Sequence, residues 1–140
     1  METLIALSNF LIAGLIIIAP VLIFIILKKL KTKRPLIIYS LIGLFVLGVL
    51  MWIFAWWSYE SDLILLKHYG YNLDGMSETE FFGNVLPENM DKVKRLETSI
   101  MGIGWPVKAI LGFVMTIPYL IFVYIGKVLI DRILLNKNDA

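Results

Sequence analysis

Three long apolar runs, over residues 4–27, 36–57 and about 102–135, dominate the pattern of this chain. Each is long enough to cross a bilayer as a helix, which takes about 20 apolar residues. The first two are separated by Lys28-Lys29-Leu30-Lys31-Thr32-Lys33-Arg34-Pro35. So short a basic turn makes them a membrane hairpin. In the third run the lipid-embedded part covers about 106–130. Pro106 suits the first turn of its helix, where the missing N–H costs nothing. Pro20 and Pro118 fall inside helices and should bend them, which membranes tolerate when neighbours satisfy the freed carbonyl.

The first run does not read as a cleaved signal. Met1-Glu2-Thr3 carries no basic side chain, and the run is too long and ends in lysine without a small-residue cleavage pattern. It is expected to stay as a first span.

Residues 58–101 break the apolar pattern without becoming a disordered linker. They keep Leu63, Ile64, Leu65, Leu66, Tyr69, Tyr71, Phe81, Phe82, Val85, Leu86, Val93, Leu96 and Ile100, and disordered segments lack such residues. The segment is below the roughly 50-residue size at which a chain folds alone. Its apolar groups therefore need each other, the bilayer surface or another protein. Helix is expected to continue from the second span through Tyr59 to about Tyr69, with a turn at Gly70 and Asp74-Gly75. Ser77-Glu78-Thr79-Glu80 has capping-box spacing and predicts a short helix to about Leu86, stopped by Pro87. A second helix starts near Pro87-Glu88, with Met90, Val93, Leu96 and Ile100 on one face. It leads into the third span, with Gly102, Gly104 and Pro106 allowing a bend. On that helix Glu88 with Lys92, and Asp91 with Arg95, have the spacing of ion pairs.

The fold class that follows is an all-α membrane protein with three transmembrane helices, at about 4–27, 36–57 and 106–130, and a small helical segment over 58–105. The 140 residues form one domain. Composition agrees: 59% of residues are hydrophobic, against about 45–50% in soluble domains, and the mean hydropathy is +0.84. The net charge of +2 gives no argument for nucleic acid. With no cysteine, disulfides, thiol catalysis and cysteine–metal sites are excluded. The Ile, Lys and Asn usage hints at an AT-rich bacterial or phage gene.

Charge distribution sets a sidedness. Lys28, Lys29, Lys31, Lys33 and Arg34 anchor the turn in the cytoplasm. Lys127, Arg132 and Lys137, against Asp131 and Asp139, put the C-terminal end on the same side. The acidic connection, with Glu60, Asp62, Asp74, Glu78, Glu80, Glu88, Asp91 and Glu97, goes outside. The expected topology is N-terminus out and C-terminus in, across a bacterial cytoplasmic membrane. Trp52, Trp56 and Trp57 close the second span and Trp105 opens the third at one level. They read as part of an aromatic belt, or as a binding surface at the outer leaflet.

Candidate chemistry is sparse. Lys108 is the one charged residue near a span core, and it either snorkels to the headgroups or pairs with Glu60 or Asp62. His68 is the single histidine, without the companions a metal site needs. No GxSxG, HExxH, Walker or GxGxxG pattern occurs, so no enzyme, cofactor or metal is expected. Gly112 and Thr116, with Ala109, form a small-residue face that serves close packing within the chain or between chains. Gly43 and Gly48 lack the four-residue spacing.

The expected function is a small accessory or regulatory subunit that binds another membrane protein, or a second copy, through the outer segment and the third span. Trp56, Trp57, Glu60, Asp62, Phe81, Phe82, Trp105, Lys108, Gly112 and Thr116 are the candidate contacts. A different class is an oligomeric pore. In topology, though in no motif, the layout resembles three-span phage holins, whose outer connections are shorter. A phage exclusion or immunity factor is a special case of partner binding.

Overall fold

The computed structural model describes residues 1–138 apart from Thr32, with side chains through Ile133. Asp139 and the side chain of Lys137, counted in the charge of the C-terminal end, lie outside the described residues. The described chain is helical, without strands: α1 (Glu2–Lys29), α2 (Pro35–His68), α3 (Glu78–Phe82), a 3-10 turn (Pro87–Asn89), α4 (Met90–Met101) and α5 (Trp105–Asn138). α1, α2 and α5 are long and apolar enough to cross a membrane. The chain is thus consistent with a multi-pass integral membrane protein.

α2 is the central post. It packs against α1 on one side and α5 on the other, and α4 crosses its far end. Its 34 residues span about 51 Å at 1.5 Å per residue, some 20 Å more than the hydrocarbon core of a bilayer. The surplus stands beyond the bundle and carries a cap made of α3, α4 and their connecting turns. The bundle therefore has a capped end and, at the α1–α2 turn, a basic end.

Close approach of α2 and α5 depends on three glycines. A Cβ on Gly43 would lie 2.8 Å from Leu120, one on Gly48 3.2 Å from Phe113, and one on Gly112 3.0 Å from Met51. Ala109 and Thr116 are buried in the same seam. Four-residue spacing missed Gly43 and Gly48 because each faces a large residue of α5, so α2 and α5 alternate small against large. Overpacking this seam costs about 1–3 kcal/mol. Gly43→Leu should lower the denaturant midpoint of bundle helicity accordingly. Gly126→Ala, where a Cβ meets nothing within 4 Å, should not lower it.

Toward the basic end each long helix contributes one aromatic ring: Phe24, Tyr39 and Tyr124, with centroids 5.5–6.0 Å apart. The Tyr119 hydroxyl donates to the Ile17 carbonyl at 2.6 Å, and Tyr39 more weakly to the Leu120 carbonyl at 3.4 Å. Both acceptors lie within three residues of a helix proline, Pro20 or Pro118. Ile17 adjoins Ile16, whose carbonyl Pro20 leaves without its helical donor, whereas Leu120 lies beyond Pro118 and is not next to a carbonyl that proline strands. At the end of the bundle Asp131 accepts from Lys28 at 2.9 Å and from Lys127 at 3.3 Å. Lys29, Lys31, Lys33 and Arg34 stay exposed, and Lys31 takes φ +49° to close the turn.

Candidate functional site

The cap is built on a small core of its own. Leu66 at the end of α2, Tyr71, Val85 and Val93 are buried, with Phe81, Phe82, Met90, Leu96 and Ile100 packed around them. The helical spacing of α4 supplies Val93, Leu96 and Ile100 to this core, as the sequence implied. α3 is shorter than its capping pattern suggested and ends at Phe82. Asn72 and Val85 donate backbone N–H groups to Phe81 and Phe82, which pulls the chain into a turn before Leu86. The expected capping box does not form: Ser77 is the N-cap without a side-chain bond to the helix, its hydroxyl meets Thr79, and Glu80 reaches one residue further back, to the Met76 N–H at 2.9 Å.

Gly70 makes the turn possible. Its φ is +86°, and a Cβ there would sit 2.4 Å from the Asn84 carbonyl oxygen. Beyond it the Tyr71 ring stacks on Phe81 and meets Phe82 edge-on, at 5.6 and 5.3 Å. Its hydroxyl donates to Glu97 at 2.7 Å. Phe81 and Phe82, expected as partner contacts, are therefore half-buried parts of the cap's own core.

Polar contacts tie the cap to all three long helices. Lys92 of α4 pairs with Glu2 of α1 at 3.0 Å and lies over the Tyr69 ring. Ser99 donates its hydroxyl to Asp62 of α2 at 2.7 Å. Lys108 of α5 donates to the Ser99 carbonyl at 2.9 Å. Lys108 thus completes the last turn of α4 and reaches Asp62 only through Ser99, in place of the expected ion pair with Glu60 or Asp62. The expected pairs of Glu88 with Lys92 and Asp91 with Arg95 do not form within 4.0 Å among the described residues. A tertiary partner, Glu2, takes Lys92, and the sequence carries no local signal for it.

The tryptophans mark one level below the cap. Trp52 and Trp105 meet edge to face at 5.0 Å, which joins α2 to α5. Trp57 donates its indole N–H to Ser8 at 2.8 Å, which joins α2 to α1. Trp56 remains exposed beside it. Glu60 is half-buried, and His68 is exposed against Tyr69. No group of three His, Cys, Asp or Glu side chains is placed to hold a metal ion among the described residues.

Tyr71 gives the cap a pH dependence. Burial, and then its bond to the Glu97 carboxylate, push its phenol up to about 12. In the unfolded cap it titrates near 10. The folded cap keeps the proton longer, so this contribution is whole below pH 10 and is lost as pH rises toward 12. Tyr71→Phe should abolish that alkaline loss and cost about 1.5 kcal/mol at neutral pH, the worth of one hydrogen bond to a charged group. A fluorophore on Met76→Cys, in a chain with no other cysteine, reads both during denaturation.

One exposed residue has no packing role. Met76 is 94% exposed, yet its loop is ordered by backbone and side-chain bonds. Asn72 caps Asp74, Gly75 bonds back to Asn72, and Glu80 holds the Met76 N–H. Leu86 is exposed nearby in sequence, before the 3-10 turn. No family model, curated protein or solved structure matches this chain.

Proposed function

We propose that this protein is a small accessory or regulatory subunit of a bacterial cytoplasmic membrane, which binds another integral membrane protein. Its N-terminus and cap lie outside, its basic turn and C-terminus inside. The observation that carries the reading is the ordered loop that holds Met76 in solvent. A hydrogen-bonded loop that exposes a methionine suits a contact surface, because the flexible thioether packs against irregular neighbours. Asp74, Glu78 and Glu80 flank it and favour a basic partner surface. Within the bundle, the exposed apolar face of α5, including Met115 and Phe122, is open to lipid or to a partner helix. Gly112 and Thr116 are engaged by α2 in this chain, so they drop out of the contact surface.

The pore alternative requires a polar seam on an outward face. The large exposed side chains there, such as Phe10, Phe45, Met115 and Phe122, are apolar, which weighs against it. The test is photo-crosslinking from residue 76 in intact cells, with residue 29 as control. The subunit reading expects one membrane protein captured repeatedly from position 76 and not from 29. Capture of this chain's own copies alone, with rapid dye leakage on expression, contradicts it and favours the pore.

A further inference from the structure

We propose that the basic end of the bundle binds an anionic phospholipid, with one acyl chain in a groove between α2 and α5. The groove has a volume of about 480 Å³, within the range of ligand sites. Leu36, Ser40 and Leu44 form one wall and Ile117, Ile121 and Ile125 the other, each set at four-residue steps. Its depth is that of one leaflet. α2 enters the apolar zone at Pro35, and Leu44 stands about 13.5 Å further in by helical rise. Half of the hydrocarbon core is about 15 Å. A partner helix would need a seam through the whole core. Above Leu44 the seam is filled, where Phe113 meets Gly48 and Met51 meets Gly112. A lipid tail fits the part that stays open.

The polar groups suit the rest of the lipid. A serine inside a helix commonly returns its hydroxyl to a carbonyl one turn back, as Ser8 and Ser61 do. Ser40 does not: half-buried in the groove wall, it has no hydrogen-bond partner among the described residues. It stands about 7.5 Å inside Pro35, deep enough to donate to an ester carbonyl of a lipid whose phosphate lies at the mouth. There Arg132 follows Ile125 at seven residues, which places both on one face of α5, and Arg34 stands two residues before Leu36. Both arginines are exposed, as groups that meet headgroups must be. Asp131 is already held by Lys28 and Lys127, and neither arginine meets a carboxylate within 4.0 Å among the described residues. Two guanidinium groups beside an apolar slot fit a phosphate whose lipid carries no compensating cation. The site rests on the three-span placement and is independent of any protein partner.

The test is lipid titration of the purified full chain in mild detergent, read by native mass spectrometry. The arms are phosphatidylglycerol, phosphatidylcholine and soluble glycerol phosphate. One phosphatidylglycerol per chain is expected, bound about tenfold or more tightly than phosphatidylcholine. Arg132→Gln should lower that preference about fivefold. Lys94→Gln, at an exposed position of the cap, should leave it unchanged. Ser40→Ala should weaken both lipids about threefold, since both carry the ester. Leu44→Trp, which fills the inner end of the groove, should weaken both about tenfold. Glycerol phosphate bound as tightly as phosphatidylglycerol would overturn the acyl chain in the groove. Equal affinity for the two lipids, the same loss from Lys94→Gln as from Arg132→Gln, or unchanged affinity in both Ser40→Ala and Leu44→Trp would overturn the site itself.

Discussion

Gly70→Ala unfolds the cap and leaves the three long helices standing. The backbone at residue 70 is left-handed, φ +86°, which costs an L-residue about 1–2 kcal/mol. The added methyl would also lie 2.4 Å from the Asn84 carbonyl oxygen. That oxygen belongs to the backbone and has no rotamer by which to move aside. Either the turn opens or residues 82–85 shift, and both pull Val85 and Tyr71 from the core around Leu66. The combined loss is expected to be about 3 kcal/mol or more. Limited proteolysis should then nick residues 70–90 rapidly while far-ultraviolet circular dichroism changes little. Gly14→Ala, where nothing lies within 4 Å, is the matched control and should resist as the parent does.

The second large effect is expected at Val93. Its side chain is 0% exposed, as is that of Leu66 beneath it. A carboxylate there would be buried without a partner, which a small core does not accommodate. Val93→Asp should detach α4 from α2, with a loss of about 3–5 kcal/mol. Detachment breaks the Ser99–Asp62 and Lys92–Glu2 contacts together, so the two ends of α4 should come loose as one unit. Hydrogen exchange of residues 90–101 should rise toward that of an unstructured peptide, with α1, α2 and α5 protected in their apolar stretches. Val93→Ile, which keeps an apolar side chain, should leave exchange nearly unchanged.

These two sites show which parts of the structure the sequence could carry. The long helices were legible because lipid imposes one rule on every residue of a span, and the runs at 4–27, 36–57 and 106–130 obey it. The extension of α2 to His68 and the face of α4 that holds Val93 were legible from local pattern. The seam between α2 and α5 was less so. Small-residue spacing identified Gly112 and Thr116, but Gly43 and Gly48 gain their meaning from Leu120 and Phe113 across the gap. The cap's polar ties were hidden for the same reason. Lys92 could be matched by Glu88 one turn away, yet it meets Glu2, 90 residues earlier in the chain. Lys108 presented itself as a snorkelling or paired charge; it forms no ion pair within 4.0 Å among the described residues and completes the end of α4. Local spacing reveals partners within a turn or two; it is silent where the chain returns from far away.

All of this places a folded cap at one end of the bundle and five basic residues at the other. We propose that the cap faces outward and the turn at Lys31 faces the cytoplasm. Because the chain has no cysteine, single replacements Met76→Cys and Lys31→Cys can each be labelled with a membrane-impermeant maleimide in intact cells. Cysteine at 76 should label at once, and cysteine at 31 only after the membrane is permeabilised. Labelling of residue 31 in intact cells, with residue 76 protected until permeabilisation, would invert the topology and contradict the account.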